Sequence, residues 1–253
     1  MDIRRELTEV SEEFITRDTV FGVFGESLVD ESRLVYPKDA SGLVELDNKL
    51  HGLTNQNDAV VVLVDGAFDV PQPNHDWYLR HCRLLGAGLY LDKWQEPLTR
   101  HNLLQIVSSA CVRLVVTVDA DAKLDAIKST NPEKGGVTRP IYPWRLRAER
   151  VAGLTFTDEY DHTRHVVDLV TVEGDPAHQD TILESSLTLA KHMTEAGILD
   201  GLVVYGEHMK TYVRANELGI NTLVIANKTN YAINPDTGEP WSSSDFINRA
   251  QKR

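Results

Sequence analysis

The segment Val64-Asp65-Gly66-Ala67-Phe68-Asp69-Val70-Pro71-Gln72-Pro73-Asn74-His75 follows directly on the apolar run Ala59-Val60-Val61-Val62-Leu63. A run that is apolar at every position, instead of every second one, is the pattern of a strand covered on both faces. It ends in an aspartate, a glycine and then two prolines, so the chain leaves the strand through a turn. Gly66 lets the backbone turn sharply or approach a ligand closely, Asn74 is a good N-cap, and His75 then begins a helix whose free N–H groups attract anions. In an open parallel sheet ligands bind at such strand-to-helix turns, beyond the carboxyl ends of the strands. Taken alone, the segment reads equally as an anion site and as a plain capped connection.

Similar apolar runs recur at 112–118, 166–172, 201–205 and 222–226. Helical patterns lie between them: 75–85 before Gly86, 143–154, 178–196 with Ile182, Leu189 and Met193 on one stripe, and 208–218 before Gly219. Glycine just past the last helical residue is the usual left-handed stop. Alternating strands and helices imply right-handed crossovers, and so an α/β protein with a doubly wound, mostly parallel sheet. Residues 1–57 do not join the alternation. They read as an N-terminal extension to a domain of residues 58–253, with four jobs open: a lid, a homodimer contact, an added sheet edge, or a helix that only covers the core.

The chain has 253 residues, 42% of them hydrophobic, enough for one full-sized domain with an appendage or for two small domains. No apolar run approaches the roughly 20 residues that cross a bilayer, and the start lacks a signal-peptide segment, so the expected place is the cytoplasm, away from membranes. Cys82 and Cys111 are too few for a disulfide framework and are expected to be reduced. A formal net charge of -12 argues against nucleic acid as a partner. Against that acidic background, Lys128, Lys134, Arg139, Arg145, Arg147 and Arg150 crowd one segment. Such a cluster suits a small anion held in one cleft, or a solvated helix face.

Gly66, Ala67, Phe68 and Asp69, followed by a histidine at a helix start, resemble the signature of the cytidylyltransferase-like nucleotidyltransferases, in wording closest to the ethanolamine-phosphate cytidylyltransferases. That family carries a histidine, any residue, glycine, histidine box. His75 falls at the second histidine, with Gln72 in place of the first and Asn74 in place of the glycine. Further matches follow in the family's order. Residues 115–121 (VVTVDAD) end a strand where the family has an acidic turn, and Lys128 has the spacing of its phosphate-binding lysine, with Lys134 a competitor. Residues 139–147 (RPIYPWRLR) are similar to the arginine-proline segment of the heptose-phosphate nucleotidyltransferases, with Arg147 at the later arginine. Gly206 follows the strand 201–205, and residues 241–249 (WSSSDFINR) resemble the carboxy-terminal serine/threonine box.

The resemblance implies a Rossmann-like nucleotidyltransferase fold. It also implies transfer of a nucleotidyl group, CMP from CTP, to a small phosphomonoester, with Mg2+ accompanying the triphosphate. His75, Lys128 and Arg147 would act on the phosphates. Gly66, Ala67, Phe68, Asp69, Gln72, Asn74, Arg139, Gly206 and Ser242, Ser243 and Ser244 would hold the nucleotide, with Asp69 also open to a turn-capping role. Gln72 cannot carry charge, and Asn74 adds a side chain where the family keeps the backbone bare. An ATP-using adenylyltransferase and a nucleotide-binding regulatory protein are the alternatives. His162 and His165 lack a second ligand pair and read as part of a solvated loop instead of a zinc site. Trp77, Tyr78, Tyr142 and Trp144 read as core aromatics or as a box for an ammonium group.

Overall fold

The computed structural model describes residues 31–54, 58–70, 73–128, 140–158, 160–174, 183–205 and 209–225. Of the residues singled out above, Gln72, Lys134, Arg139, Gly206 and Ser242, Ser243 and Ser244 lie outside these segments, and Lys128 is described by its backbone alone. A turn of 3-10 helix (Glu31–Arg33) leads into β1 (Leu34–Val35), α1 (Ala40–Thr54), β2 (Val60–Gly66), α2 (Pro73–Lys93), α3 (Arg100–Val107), β3 (Val112–Asp119) and α4 (Asp121–Lys128). Then come α5 (Trp144–Ala152), β4 (Thr155–Thr157), β5 (Thr163–His165), β6 (Leu169–Glu173), α6 (Ser186–Glu195), β7 (Gly201–Tyr205), α7 (Met209–Glu217) and β8 (Thr222–Ile225).

Six strands form one parallel sheet in the order β1-β6-β3-β2-β7-β8, while β4 and β5 make a small antiparallel hairpin. The continuous apolar run of β2 is explained by its neighbours. Val60, Val62 and Val64 enter a core with α2, α3 and α5, whereas Val61 and Leu63 enter a second core with α1, α6 and α7. Helices therefore cover both faces, as the apolar runs predicted. No helix among the described residues is long and apolar enough to cross a membrane.

Two of the jobs left open for residues 1–57 are seen, an added sheet edge and a helix over the core. Residues set apart as an extension supply β1, paired in parallel with β6, and α1, whose Leu46 and Leu50 are buried in the second core. Three expectations change. Gly86 does not end a helix: α2 runs on to Lys93, and a Cβ at Gly86 would lie 2.7 Å from Val112 Cγ1 and 3.1 Å from Val62 Cγ2. That glycine lets the helix sit close on the sheet. The third strand starts at Leu169, not 166, because the Asp168 carboxylate itself takes the Leu114 N–H at 2.9 Å. It also binds Arg83 at 2.7 Å and Arg113 at 3.0 Å, so a buried ion cluster braces this end of the sheet. Residues 158–165, read as a loop, carry the β4–β5 turn, in which Asp158 accepts from the N–H groups of Tyr160 and His162. Gly219, by contrast, has φ +70 two residues past the end of α7, the left-handed stop expected of it.

Candidate functional site

The chain builds β2, β3 and β6 outward in one direction, then returns to lay β7 and β8 on the other side of β2. The strand order therefore reverses between β2 and β7. In open sheets, crevices for ligands form beyond the carboxyl ends at such a point. Gly66 ends β2 there, so the quoted segment occupies the switch point of the fold.

The turn is shaped by packing within the chain. Phe68 adopts φ 46, a left-handed conformation that strains an aromatic residue by about 1–3 kcal/mol. Its ring folds back so closely that a Cβ on Gly66 would meet it at 2.8 Å. The bare backbone of Gly66 accommodates Phe68. The same ring lies edge-on to His75, centroids 5.3 Å apart at 75°. Helix α2 is already under way at Pro73, a favoured first helical residue, so Asn74 and His75 sit inside its first turn and Asn74 is not the cap.

Two side chains tie this turn to the arginine-proline segment. Asp69 is buried, and its Oδ1 accepts the N–H groups of Ile141 at 2.8 Å and Tyr142 at 3.2 Å. Arg147 Nε donates to the Tyr142 carbonyl at 2.9 Å, and Nη1 donates to the Ala67 carbonyl. Nη2 donates to the Asp119 carbonyl at 2.7 Å and to Asp121 Oδ1 at 2.8 Å. The three loops after β2, after β3 and before α5 thus converge on one guanidinium. The sequence expected Arg147 to meet a triphosphate; four of its five N–H groups bind within the chain, and the residue also lines the cleft between α2 and α5.

On the other face of the sheet end lies an acidic layer. Register sets Asp119 beside Glu173, and Asp65 two residues lower beside Thr117, which in turn pairs with Thr171. Lys123, in the first turn of α4, places Nζ 2.7 Å from Asp119 Oδ1 and in contact with Glu173 Oε1. Burial pushes the Glu173 carboxyl up to about 7; Lys123 opposes this, while Asp65 and Asp119 reinforce it. The Lys123 ammonium is also pushed up: burial lowers it, but Glu173 and Asp119 more than compensate and hold its proton firmly. Two carboxylates compete for one cation, and the less solvated one gives up its charge first. Sequence reading missed Lys123; its signal was a lysine in the first helical turn after a strand ending in aspartate.

Between the first turn of α2 and α5 lies a small cleft of about 20 Å³, little more than the room for one water. Phe68, Leu79, His75, Asp76, Arg147 and Arg150 are among its lining residues. Burial raises the Asp76 carboxyl, and Arg150 and Arg80 oppose that rise. The aromatic residues near the site are engaged within the chain. Trp77 stacks on His81 at 4.9 Å, and the Arg145 guanidinium lies 5.3 Å from the Trp144 ring and 5.7 Å from that of Tyr36. No group of three or more His, Cys, Asp or Glu side chains among the described residues is arranged to hold a metal ion.

No protein-family model and no curated protein matches this sequence. Among solved structures, the chain is similar to the lipopolysaccharide core biosynthesis protein from Thermoplasma volcanium GSS1, with a TM-score of 0.37 and 17% identity, over 68% of this chain and 98% of that one. So loose a likeness says nothing about chemistry.

Proposed function

We propose that the chain is a nucleotidyltransferase that moves a nucleotidyl group, CMP from CTP, onto a small phosphomonoester. An oxygen of the acceptor phosphate attacks the α-phosphorus; the bond to the bridging oxygen breaks, and pyrophosphate leaves with the electron pair. The nucleophile belongs to the substrate, so the protein needs only to align phosphates and balance their charge.

The observation that carries this reading is the junction at the switch point. The turn 66–69 and the segment 140–147 each resemble a motif of that family, and Asp69 and Arg147 bind them together across 72 to 80 residues of sequence. The first turn of α2, with His75 in it, opens at the same place and offers N–H donors to a phosphate. In this reading Arg147 is a positioning residue that holds the loops, and His75 touches the nucleotide. Mg2+ would accompany the triphosphate and offset its charge.

One observation favours a second reading, a regulatory protein that binds nucleotide without turnover: Gln72 and Asn74 stand where the family has histidine and glycine. Incubating the protein with Mg2+, CTP or ATP and a panel of phosphomonoesters, and following pyrophosphate, separates the two. Release with CTP and one acceptor is the expected result. Release with ATP alone changes the nucleotide, tight binding without release supports the regulator, and absence of nucleotide binding overturns both.

A further inference from the structure

We propose that Lys123 is the lysine that contacts phosphate at this end of the sheet, and that Glu173 is the positioning residue that aims it. The inference rests on the nucleotidyl-transfer reading and assigns residues to it that the motifs do not.

Placement is the first reason. Helix α4 begins two residues beyond the end of β3, and Lys123 lies in its first turn at the carboxyl edge of the sheet. Lys128 closes the same helix; five residues on, its backbone lies about 7.5 Å farther along the axis. An ammonium carries three donors. Asp119 and Glu173 take two, the third has no protein acceptor among the described residues, and the side chain is 23% exposed.

The support beneath Lys123 is the second reason. Glu173 is 1% exposed; Oε1 meets Lys123, and Oε2 has no hydrogen-bond partner among the described residues. Below it on adjoining strands, the buried hydroxyls of Thr117 and Thr171 also lack partners among the described residues. A buried carboxylate with an unsatisfied oxygen is costly to keep, which points to a role other than stability. A lysine on a flexible stem loses mobility when two carboxylates grip it from the sheet side, so its free donor is aimed before a phosphate arrives. The charged groups facing Glu173 are Lys123 from α4, Asp65 from β2 and Asp119 from β3. Their balance makes the grip depend on pH. With Glu173 ionised the lysine is held by two anions; with Glu173 protonated, by Asp119 alone.

The test measures pyrophosphate release and CTP affinity from pH 5.5 to 9 for the native protein, Lys123→Ala, Lys128→Ala, Glu173→Gln and the double variant Lys123→Gln/Glu173→Gln. Lys123→Ala should lower kcat by about 100-fold, the scale for losing one donor to developing charge, and weaken CTP binding. Glu173→Gln should lower kcat about tenfold at pH 8, the usual scale for removing a partner that orients a binding group, with CTP affinity little changed. Native kcat should rise with pH through about 7, and that rise should be absent in Glu173→Gln. A merely structural glutamate would lower the melting temperature and leave the rise in place. Should Lys123→Ala fail to fold, the double variant, which removes both charges at similar volume, takes its place and should be inactive. Full turnover in a folded Lys123 variant, or loss of turnover in Lys128→Ala alone, overturns this assignment and leaves the transferase reading intact. CTP binding without turnover, weakened by Lys123→Ala, sinks the transferase reading and keeps this one; absence of CTP, ATP and pyrophosphate binding sinks both.

Discussion

The Arg147 guanidinium and the Asp121 carboxylate meet at 2.8 Å, with the arginine side chain fully buried and the aspartate 35% open. The arginine has given up its water for four bonds within the chain, three of them to backbone carbonyls. Lysine is a single point charge and cannot span those four acceptors. Arg147→Lys should therefore cost about 1–3 kcal/mol, the scale for leaving buried acceptors without a donor, read as a lower urea midpoint with an unchanged slope. An unchanged midpoint would mean that the loops hold together without the fork.

Gly66 and Phe68 should show strong coupling. Gly66→Ala forces a methyl against the Phe68 ring and should cost about 1–3 kcal/mol by overpacking. In a Phe68→Ala background the same change meets no ring and should cost far less. A double-mutant cycle measures the difference, and additive effects would show that some other neighbour demands the glycine.

Asp69 separates charge from hydrogen bonding. Asp69→Asn keeps one oxygen for the Ile141 and Tyr142 N–H groups, whereas Asp69→Ala strands both and should cost about 1–3 kcal/mol more. Hydrogen exchange at Ile141 and Tyr142 should accelerate in the alanine variant and stay close to native in the asparagine variant. Equal exchange in the two would sink the clasp.

At the opposite end of the sheet, Asp168 predicts an acid limb in the stability curve. Burial works against its charge, but the Arg83 and Arg113 guanidiniums and the Leu114 N–H outweigh that and hold the carboxyl below its ordinary value. A group more acidic folded than unfolded contributes fully above its unfolded value, near 4, and loses that contribution as pH falls through the folded one. Asp168→Asn should flatten this limb and cost about 3–5 kcal/mol at pH 7, because two arginines lose their counterion. Denaturant unfolding at several pH values checks both.

Much of the fold was legible because burial on both faces leaves a one-dimensional trace. Uninterrupted apolar runs marked β2, β3, β7 and β8 within one or two residues. Glycines were ambiguous for a physical reason: the missing side chain permits either a positive φ or a close approach. Gly219 uses the first and Gly86 the second, and only the neighbouring Val62 and Val112 distinguish them. The two-residue β1 and the three-residue strands of the hairpin carry too little pattern to be seen.

Side-chain types and their spacing alone determined the α/β class, the position of the main strands and the turn at residues 64–75. Strand order, and with it the switch point beside β2, came from the tertiary structure, because register and crossover depend on which faces meet. So did the fate of the charges. A sequence counts arginines and lysines, but whether Arg147 faces a ligand or clasps three loops, and whether Lys123 or Lys128 stands at the sheet end, depends on which acceptors folding brings within 3 Å.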